Sequence, residues 1–214
     1  MRLLLVRHGE SLGNVTRVLQ GRGDPLTDRG RSQARSIAAH LARRGDVRTI
    51  YTSPLSRALE TSQIMGAAVG VEPEPRENLA EINVGNAAGL SFEEWSQRFP
   101  EEARLFQADN LGYAFPGGES ARHLSDRVAV EMDRIVAAHR DDPHAVVIVS
   151  HGGAMAWILA HLLGEPRGAW PSYEYDNCSL TEVMVDGGDV TLVSRNEIGH
   201  LQPVAEEEIA TGRT

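Results

Sequence analysis

The fold of this chain is decided by Leu3-Leu4-Leu5-Val6-Arg7-His8-Gly9-Glu10-Ser11. Four consecutive apolar residues are typical of a strand that is buried on both faces of a parallel sheet. Polar residues follow directly, at the carboxyl end of the predicted strand. In open α/β sheets, ligands bind just beyond the carboxyl ends of the strands. The segment therefore predicts a buried strand and, at its end, a place where a ligand is met.

The same order of strand, loop and helix recurs along the chain. Strands are predicted at residues 47–52 and 145–149, and helices with apolar positions at helical spacing at 27–44, 55–69 and 153–163. A glycine follows each of these helices, as is common where a helix ends. Strands that alternate with helices predict a three-layer α/β/α fold with a mostly parallel central sheet.

Two further regions complete the predicted domain, which spans residues 1–214 as a single unit. Residues 180–185 and 190–193 resemble strands joined by the hairpin signal Gly187-Gly188-Asp189. Residues 83–118 interrupt the alternation and contain all four phenylalanines of the chain. A capping box at Ser91 predicts a helix over residues 91–98. We expect this segment to be an inserted, mostly helical lid; a small insert with its own aromatic core is a compatible alternative.

Composition excludes several classes of function. The net charge of −9 disfavours a general nucleic-acid binder and binding to an anionic membrane. All 21 basic residues are arginine, which excludes a catalytic lysine, and the single Cys178 cannot form an internal disulfide. Without a leader-like start or an apolar run long enough to span a bilayer, we expect a cytoplasmic protein. Neither nucleic acid nor a membrane is an expected partner; a homodimer is left open.

Three predicted strand ends bring histidine and arginine toward one edge of the sheet. Arg7 and His8 follow the first strand, His151 follows residues 145–149, and Arg57 lies near the start of the helix after residues 47–52. Arginine binds phosphate through its planar fork, and nearby guanidinium charge keeps an imidazole neutral and nucleophilic. Each residue alone could be structural, and paired histidines could bind a metal, but these two lack the close spacing of a helical zinc pair. Together they indicate phosphoryl-transfer chemistry, and the expected partner is a small phosphorylated metabolite.

With these motifs in order, the chain resembles the histidine phosphatase superfamily, also called the phosphoglycerate mutase-like family. The resemblance covers nearly the whole chain. It is carried by residues 7–11, Asn14, residues 26–30, Gln33-Ala34, residues 53–58, Glu60-Thr61, residues 79–82, residues 116–120 and residues 150–153.

The resemblance implies a role for each matching residue. His8 would be the phosphorylated nucleophile, and Glu81 would be the acid that protonates the leaving oxygen and then the base that activates water. Arg7, Arg57 and His151 would bind the phosphoryl group and stabilise its transition state. Asn14 and the amide of Gly152 would also contact the phosphate. No metal or other cofactor is expected, because two arginines and backbone amides neutralise the charge.

One departure affects the expected substrate. Many phosphatases of this family carry an acidic-Trp-Glu-Gly type segment after the catalytic glutamate, where this chain has Gly85-Asn86-Ala87-Ala88-Gly89. The missing bulky residue should widen or reshape the pocket. The stretch also holds no basic residue of the kind that the family's mutases use, and Arg98 and Arg104 are expected on helices that could equally face solvent. We expect an uncharged pocket with aromatic neighbours such as Trp95 and Phe92.

Three functions remain open on these grounds. The favoured one is a phosphomonoesterase of the histidine acid phosphatase type, acting on a small phosphomonoester through a phosphohistidine. The second is a cofactor-dependent phosphoglycerate mutase, an isomerase that returns the phosphoryl group to a substrate. The third is a non-catalytic phosphate-binding sensor.

Overall fold

The computed structural model of the chain describes residues 1–166 and 172–201, and in them six strands form one sheet. The strands are β1 (Arg2–Arg7), β2 (Val47–Thr52), β3 (Glu74–Pro75), β4 (Ala145–Ser150), β5 (Leu180–Asp186) and β6 (Asp189–Glu197). The sheet has the order β3-β2-β4-β1-β5-β6. Strands β1 to β4 run parallel to one another, whereas β5 is antiparallel to both β1 and β6.

Helices cover both faces of this sheet. Leu4 and Val6 of β1 belong to a core shared with α2 and α3, whereas Leu3 and Leu5 belong to a core shared with α6 and α7. Alternate residues of a strand point to opposite faces, so one apolar run serves two cores. The predicted three-layer α/β/α fold is confirmed. The helices are α1 (Leu12–Thr16), α2 (Asp28–Arg44), α3 (Ser56–Val69), α4 (Phe92–Arg98), α5 (Pro100–Ala108), α6 (Ala121–Ala138) and α7 (Gly152–Leu162).

The local signals read from the sequence are reproduced closely. Thr27 caps α2 by accepting a hydrogen bond from the Gly30 amide, and Gly45 ends the helix in the left-handed conformation. The hairpin turn is confirmed but is shorter than expected, because Asp189 already belongs to β6. The sequence interpretation missed α6, whose buried positions recur at helical spacing after the Ser120 cap. It also missed α1 and the two-residue strand β3. The helix expected to carry Arg104 is confirmed as α5.

The segment of residues 83–118 folds around its own aromatic cluster. Trp95 is buried, and its ring centroid lies 5.3–6.1 Å from those of Phe92, Phe106, Tyr113 and Phe115. The capping box at Ser91 is formed. The compatible alternative, an insert with an aromatic core, therefore describes the segment, while its role as a lid stays a prediction. So does the extent of the domain, since residues 167–171 and 202–214 lie outside the described residues.

Among residues 1–166 and 172–201, no helix has both the length and the hydropathy that a bilayer span requires.

Candidate active site

A cavity of about 280 Å³ opens at the carboxyl ends of β1 and β4. Its lining includes five residues that the sequence analysis selected: Arg7, His8, Arg57, Glu81 and Gly152. The parallel register pairs Arg7 with Ser150, so the loops that leave β1 and β4 start side by side. The convergence expected from topology is thus observed.

His8 is buried at the floor of this arrangement with a defined tautomer. Its Nδ1 lies 2.7 Å from the carbonyl oxygen of Gly9, which can only accept, so Nδ1 carries the proton. The lone pair is therefore on Nε2, which accepts a hydrogen bond from Arg57 Nε at 3.3 Å. Burial, and then the charges of Arg57 and Arg7, hold the pKa of His8 well below its usual value. The imidazole is neutral, and its electron pair at Nε2 faces Arg57 Nε.

Two arginines, Arg57 buried and Arg7 half-buried, flank the imidazole and are themselves anchored. Arg57 is 1% exposed and donates from Nη1 to the carbonyl of Gly21 at 2.9 Å. Arg7 donates from Nη1 to the carbonyl of Tyr175, and its Nε is buried with no hydrogen-bond partner in the described residues. A buried, unpaired guanidinium N–H is costly. It indicates that Arg7 is arranged for an acceptor that the protein does not supply.

His151 lies beside His8, with the two ring centroids 5.0 Å apart. Its Nε2 is 2.7 Å from Ser53 Oγ, while its Nδ1 is buried with no partner in the described residues. Ser53 Oγ also accepts from the Leu55 amide. Burial, together with the charges of Arg57 and Arg7, holds the pKa of His151 well below its usual value. The second histidine is therefore neutral as well, and Ser53 holds its ring in place.

Glu81 reaches the cavity from a loop rather than from a strand end. Its carboxylate accepts from the Ile82 amide at Oε1 and from the Gly153 amide at Oε2, both at 2.9 Å. The Gly153 contact places Glu81 over the first turn of α7, where helix dipole and free N–H groups favour an anion. A Cβ on residue 153 would lie only 2.7 Å from Oε1 of Glu81. Glycine is required there so that the carboxylate can approach.

Asn14 is held by a network that sequence reasoning missed. Its Oδ1 accepts from the Ser11 amide, from Ser11 Oγ and from Asn177 Nδ2, at 2.9–3.1 Å. Asn177 also donates to the carbonyl of His8 at 3.0 Å. Because Oδ1 is occupied, the NH₂ group of Asn14 is the part left to donate to a ligand. Asn177 thus links Asn14 to the backbone of His8, and only the fold brings it there.

The remaining wall of the cavity is apolar and corrects one expectation. It is formed by Val18, Leu19, Ile82 and Val84, and Gln20 adds one uncharged polar side chain. The expected aromatic neighbours are not among the lining residues, because Trp95 is 2% exposed inside the insert's own cluster and Phe92 packs on that cluster.

The two arginines of the insert do not reach the cavity either. Arg104 pairs with Glu101 at the surface, and Arg98 lies over the ring of Phe99. Within the described part of the chain, Arg7 and Arg57 are the basic residues other than histidine that line the cavity.

Cys178 is not part of this chemistry. It is buried, and burial raises the pKa of its thiol to about 12, although the nearby charge of Arg7 opposes this. Its amide donates to the carbonyl of Arg7 at 3.0 Å. A buried thiol with a raised pKa is a poor nucleophile.

Comparison with known proteins supplies the family. The model of the histidine phosphatase superfamily (branch 1) matches residues 3–198. Phosphoserine phosphatase 1 of Hydrogenobacter thermophilus is 31% identical over 202 residues, which are 94% of each chain. Phosphoglycerate mutase-like protein 4 of Arabidopsis thaliana is 36% identical over 156 residues, covering 72% of this chain and 67% of the relative.

A solved structure agrees in fold as well as in sequence. Mycobacterial glucosyl-3-phosphoglycerate phosphatase superposes with a TM-score of 0.78 at 31% identity, over 91% of this chain and 98% of its own. The relatives are thus phosphatases and mutase-like proteins, and their names do not share one substrate. The match covers both the cavity and the sheet that positions it, and this chain belongs to the histidine phosphatase superfamily.

Proposed function

We propose that the protein is a phosphomonoesterase that works through a phosphohistidine on His8. One observation carries the proposal: a neutral imidazole presents its Nε2 lone pair in a cavity that two guanidinium groups, those of Arg7 and Arg57, also line. A phosphoryl group in that cavity would accept from the unpaired Nε of Arg7 and from His151 Nδ1, if Ser53 gives its hydroxyl proton to Nε2. Such donors stabilise the charge on the transferred group.

In the first step, the Nε2 lone pair of His8 forms the N–P bond as the P–O ester bond breaks. The ester electron pair leaves with the oxygen of the alcohol, which takes a proton from Glu81. The carbonyl of Gly9, bound to Nδ1–H, stabilises the positive charge that the ring acquires. Asn14 and the amide of Gly152, at the start of α7, are proposed to contact the equatorial oxygens.

In the second step, water replaces the alcohol. The Glu81 carboxylate takes a proton from water while the water oxygen attacks phosphorus. The N–P bond then breaks, and the electron pair of that bond returns to Nε2 of His8. Inorganic phosphate leaves, and Glu81 is protonated again for the next cycle. Microscopic reversibility makes one residue the acid of the first step and the base of the second.

The cavity wall favours a phosphomonoester whose body is apolar or neutral. Val18, Leu19, Ile82 and Val84 offer burial but no charge. A mutase would have to bind a carboxylate and a second phosphate as well, and in the described residues the lining cations other than histidine are those already assigned to the transferred group. Hydrolysis is therefore proposed over mutase activity, although the curated relatives include mutase-like proteins.

The test is a panel of phosphorylated metabolites, read out as released phosphate. It is paired with 3-phosphoglycerate plus 2,3-bisphosphoglycerate, read out as isomerisation. We expect phosphate release to be faster than isomerisation for at least one monoester. Isomerisation much faster than every release rate would favour the mutase, and no turnover of any phosphate, an aryl phosphate included, would favour the sensor.

A further inference from the structure

Arg127, on α6, binds both the loop that carries Glu81 and the carboxylate of Glu119. Nη1 donates to the carbonyls of Asn78 and Ala80, both at 2.8 Å, and Nη2 donates to the carbonyl of Glu81 at 3.0 Å. Nη2 and Nε also bind the two carboxylate oxygens of Glu119, at 2.7 and 3.1 Å. These bonds match the five N–H groups of arginine, so none is left for a ligand.

Glu119 holds the other end of the same loop. Its Oε1 accepts from the Asn83 amide at 3.0 Å, and its own amide donates to the Asn83 carbonyl at 2.8 Å. Burial alone would raise the pKa of Glu119, but the hydrogen bonds from Arg127 and Asn83 outweigh it and lower the pKa. Both side chains of the pair are largely covered, at 19% and 18% exposed. Arg127 and Glu119 therefore bind the loop on both sides of Glu81.

We propose that Arg127 and Glu119 are positioning residues that hold the Glu81 carboxylate at the leaving oxygen. The inference rests on the acid–base role proposed for Glu81 above. The bonds to Asn78, Ala80 and Asn83 fix the backbone around residue 81, while the Gly153 and Ile82 amides fix only its carboxylate. The motif containing Gly118-Glu119-Ser120 thereby gains a function in this chain that is separate from phosphate binding.

A positioning role predicts a specific pattern of loss. The ratio kcat/KM reports the steps up to the first irreversible one, the cleavage of the ester bond. An alkyl phosphate needs a proton on its leaving oxygen, whereas 4-nitrophenyl phosphate needs little help. Misplacement of a group by about 1 Å can cost about 10²-fold, so Arg127→Met and Glu119→Gln should lower kcat/KM for the alkyl substrate by about 10- to 10²-fold. The loss for the aryl substrate should be much smaller.

The controls separate positioning from general damage. Arg122→Met removes an exposed arginine from the same helix and should leave both substrates unchanged. Glu81→Gln should reproduce the alkyl-selective loss. When Arg127→Met is added to Glu81→Gln, kcat/KM for the alkyl substrate should fall little further. Both changes disable the same proton donation, so their effects are not additive. Circular dichroism checks that each variant is folded, and Arg127→Lys, which keeps the charge without the fork, replaces Arg127→Met should that variant not fold.

Each result has one meaning. Alkyl-selective loss in the Arg127 and Glu119 variants, without additivity to Glu81→Gln, supports the proposal. Equal losses on both substrates, or full additivity with Glu81→Gln, overturn the positioning role and leave the function of Glu81 intact. Equal losses in Glu81→Gln itself overturn the acid role, and the positioning inference falls with it.

Discussion

The two sides of the cavity are built in different ways. His8 and His151 follow directly from neighbouring parallel strands, so the sheet register itself sets their proximity. Glu81 lies in a loop with few regular backbone partners, and its place depends on Arg127, Glu119 and the amide of Gly153. The nucleophile side, which holds the proposed nucleophile His8, is fixed by secondary structure. The acid side, which holds the proposed acid Glu81, is fixed by side-chain contacts. The nucleophile side should therefore tolerate changes far from it, while the acid side should respond to several distant substitutions.

The largest effect is expected at His8. Replacement by alanine removes the proposed nucleophile, and its neighbours Arg7 and Arg57 offer no alternative lone pair at neutral pH. His8→Ala should abolish phosphate release from every substrate, aryl phosphates included. His161→Ala is a suitable control, because that histidine pairs with Asp133 on the surface. Full activity in His8→Ala would contradict the mechanism.

A smaller, selective loss is expected at Gly153. An alanine there would bring its Cβ to 2.7 Å from Oε1 of Glu81 and displace the carboxylate. Gly153→Ala should lower kcat/KM for an alkyl phosphate by roughly 10-fold or more, with a weaker effect on 4-nitrophenyl phosphate. Gly199→Ala, where a Cβ meets open space, is the matched control. The same loss for both substrates would show that the two sides of the cavity are not independent.

The pH at which the His8 ring is protonated tests the nucleophile side further. Its pKa is lowered by burial and by Arg57 and Arg7, so the ring stays neutral as the pH falls below 6.5 and is protonated only at the lowered pKa. NMR titration of the ligand-free protein should show His8 neutral at pH 6.5. Arg57→Gln removes one cause of the shift and should move the titration to higher pH. A pKa of His8 at its usual value in the unaltered protein would show that burial and the two arginines do not lower it.

The smallest effect is expected on removal of metals. Two guanidinium groups and backbone amides are proposed to meet the charge of the phosphate, so activity should survive EDTA unchanged. The assay compares initial rates before and after chelation, and again after Mg²⁺ or Zn²⁺ is restored. A large loss that a metal reverses would show that the arginine side of the cavity is not sufficient.

The difference between the two sides also explains what the sequence could predict. Apolar runs followed by Arg7-His8 and by His151 locate strand ends, and parallel strands put such ends at one edge, so the nucleophile side was predictable. Glu81 was found through its motif, but Arg127 and Asn177 were not. They lie 46 and 169 residues from the groups they hold, and no local period connects them. Helix α6 carried a readable pattern that was missed, whereas contacts of this range become visible only in the folded chain.

The central claim is the covalent bond between His8 and phosphorus. The direct test uses a ³²P-labelled substrate, rapid quenching and mass-spectrometric location of the label. The account predicts an acid-labile, alkali-stable phosphoenzyme that forms within the first turnover, carries the label on His8 and does not form in His8→Ala. A label on another residue, or rapid turnover with no labelled enzyme at any quench time in either acid or alkali, would contradict it.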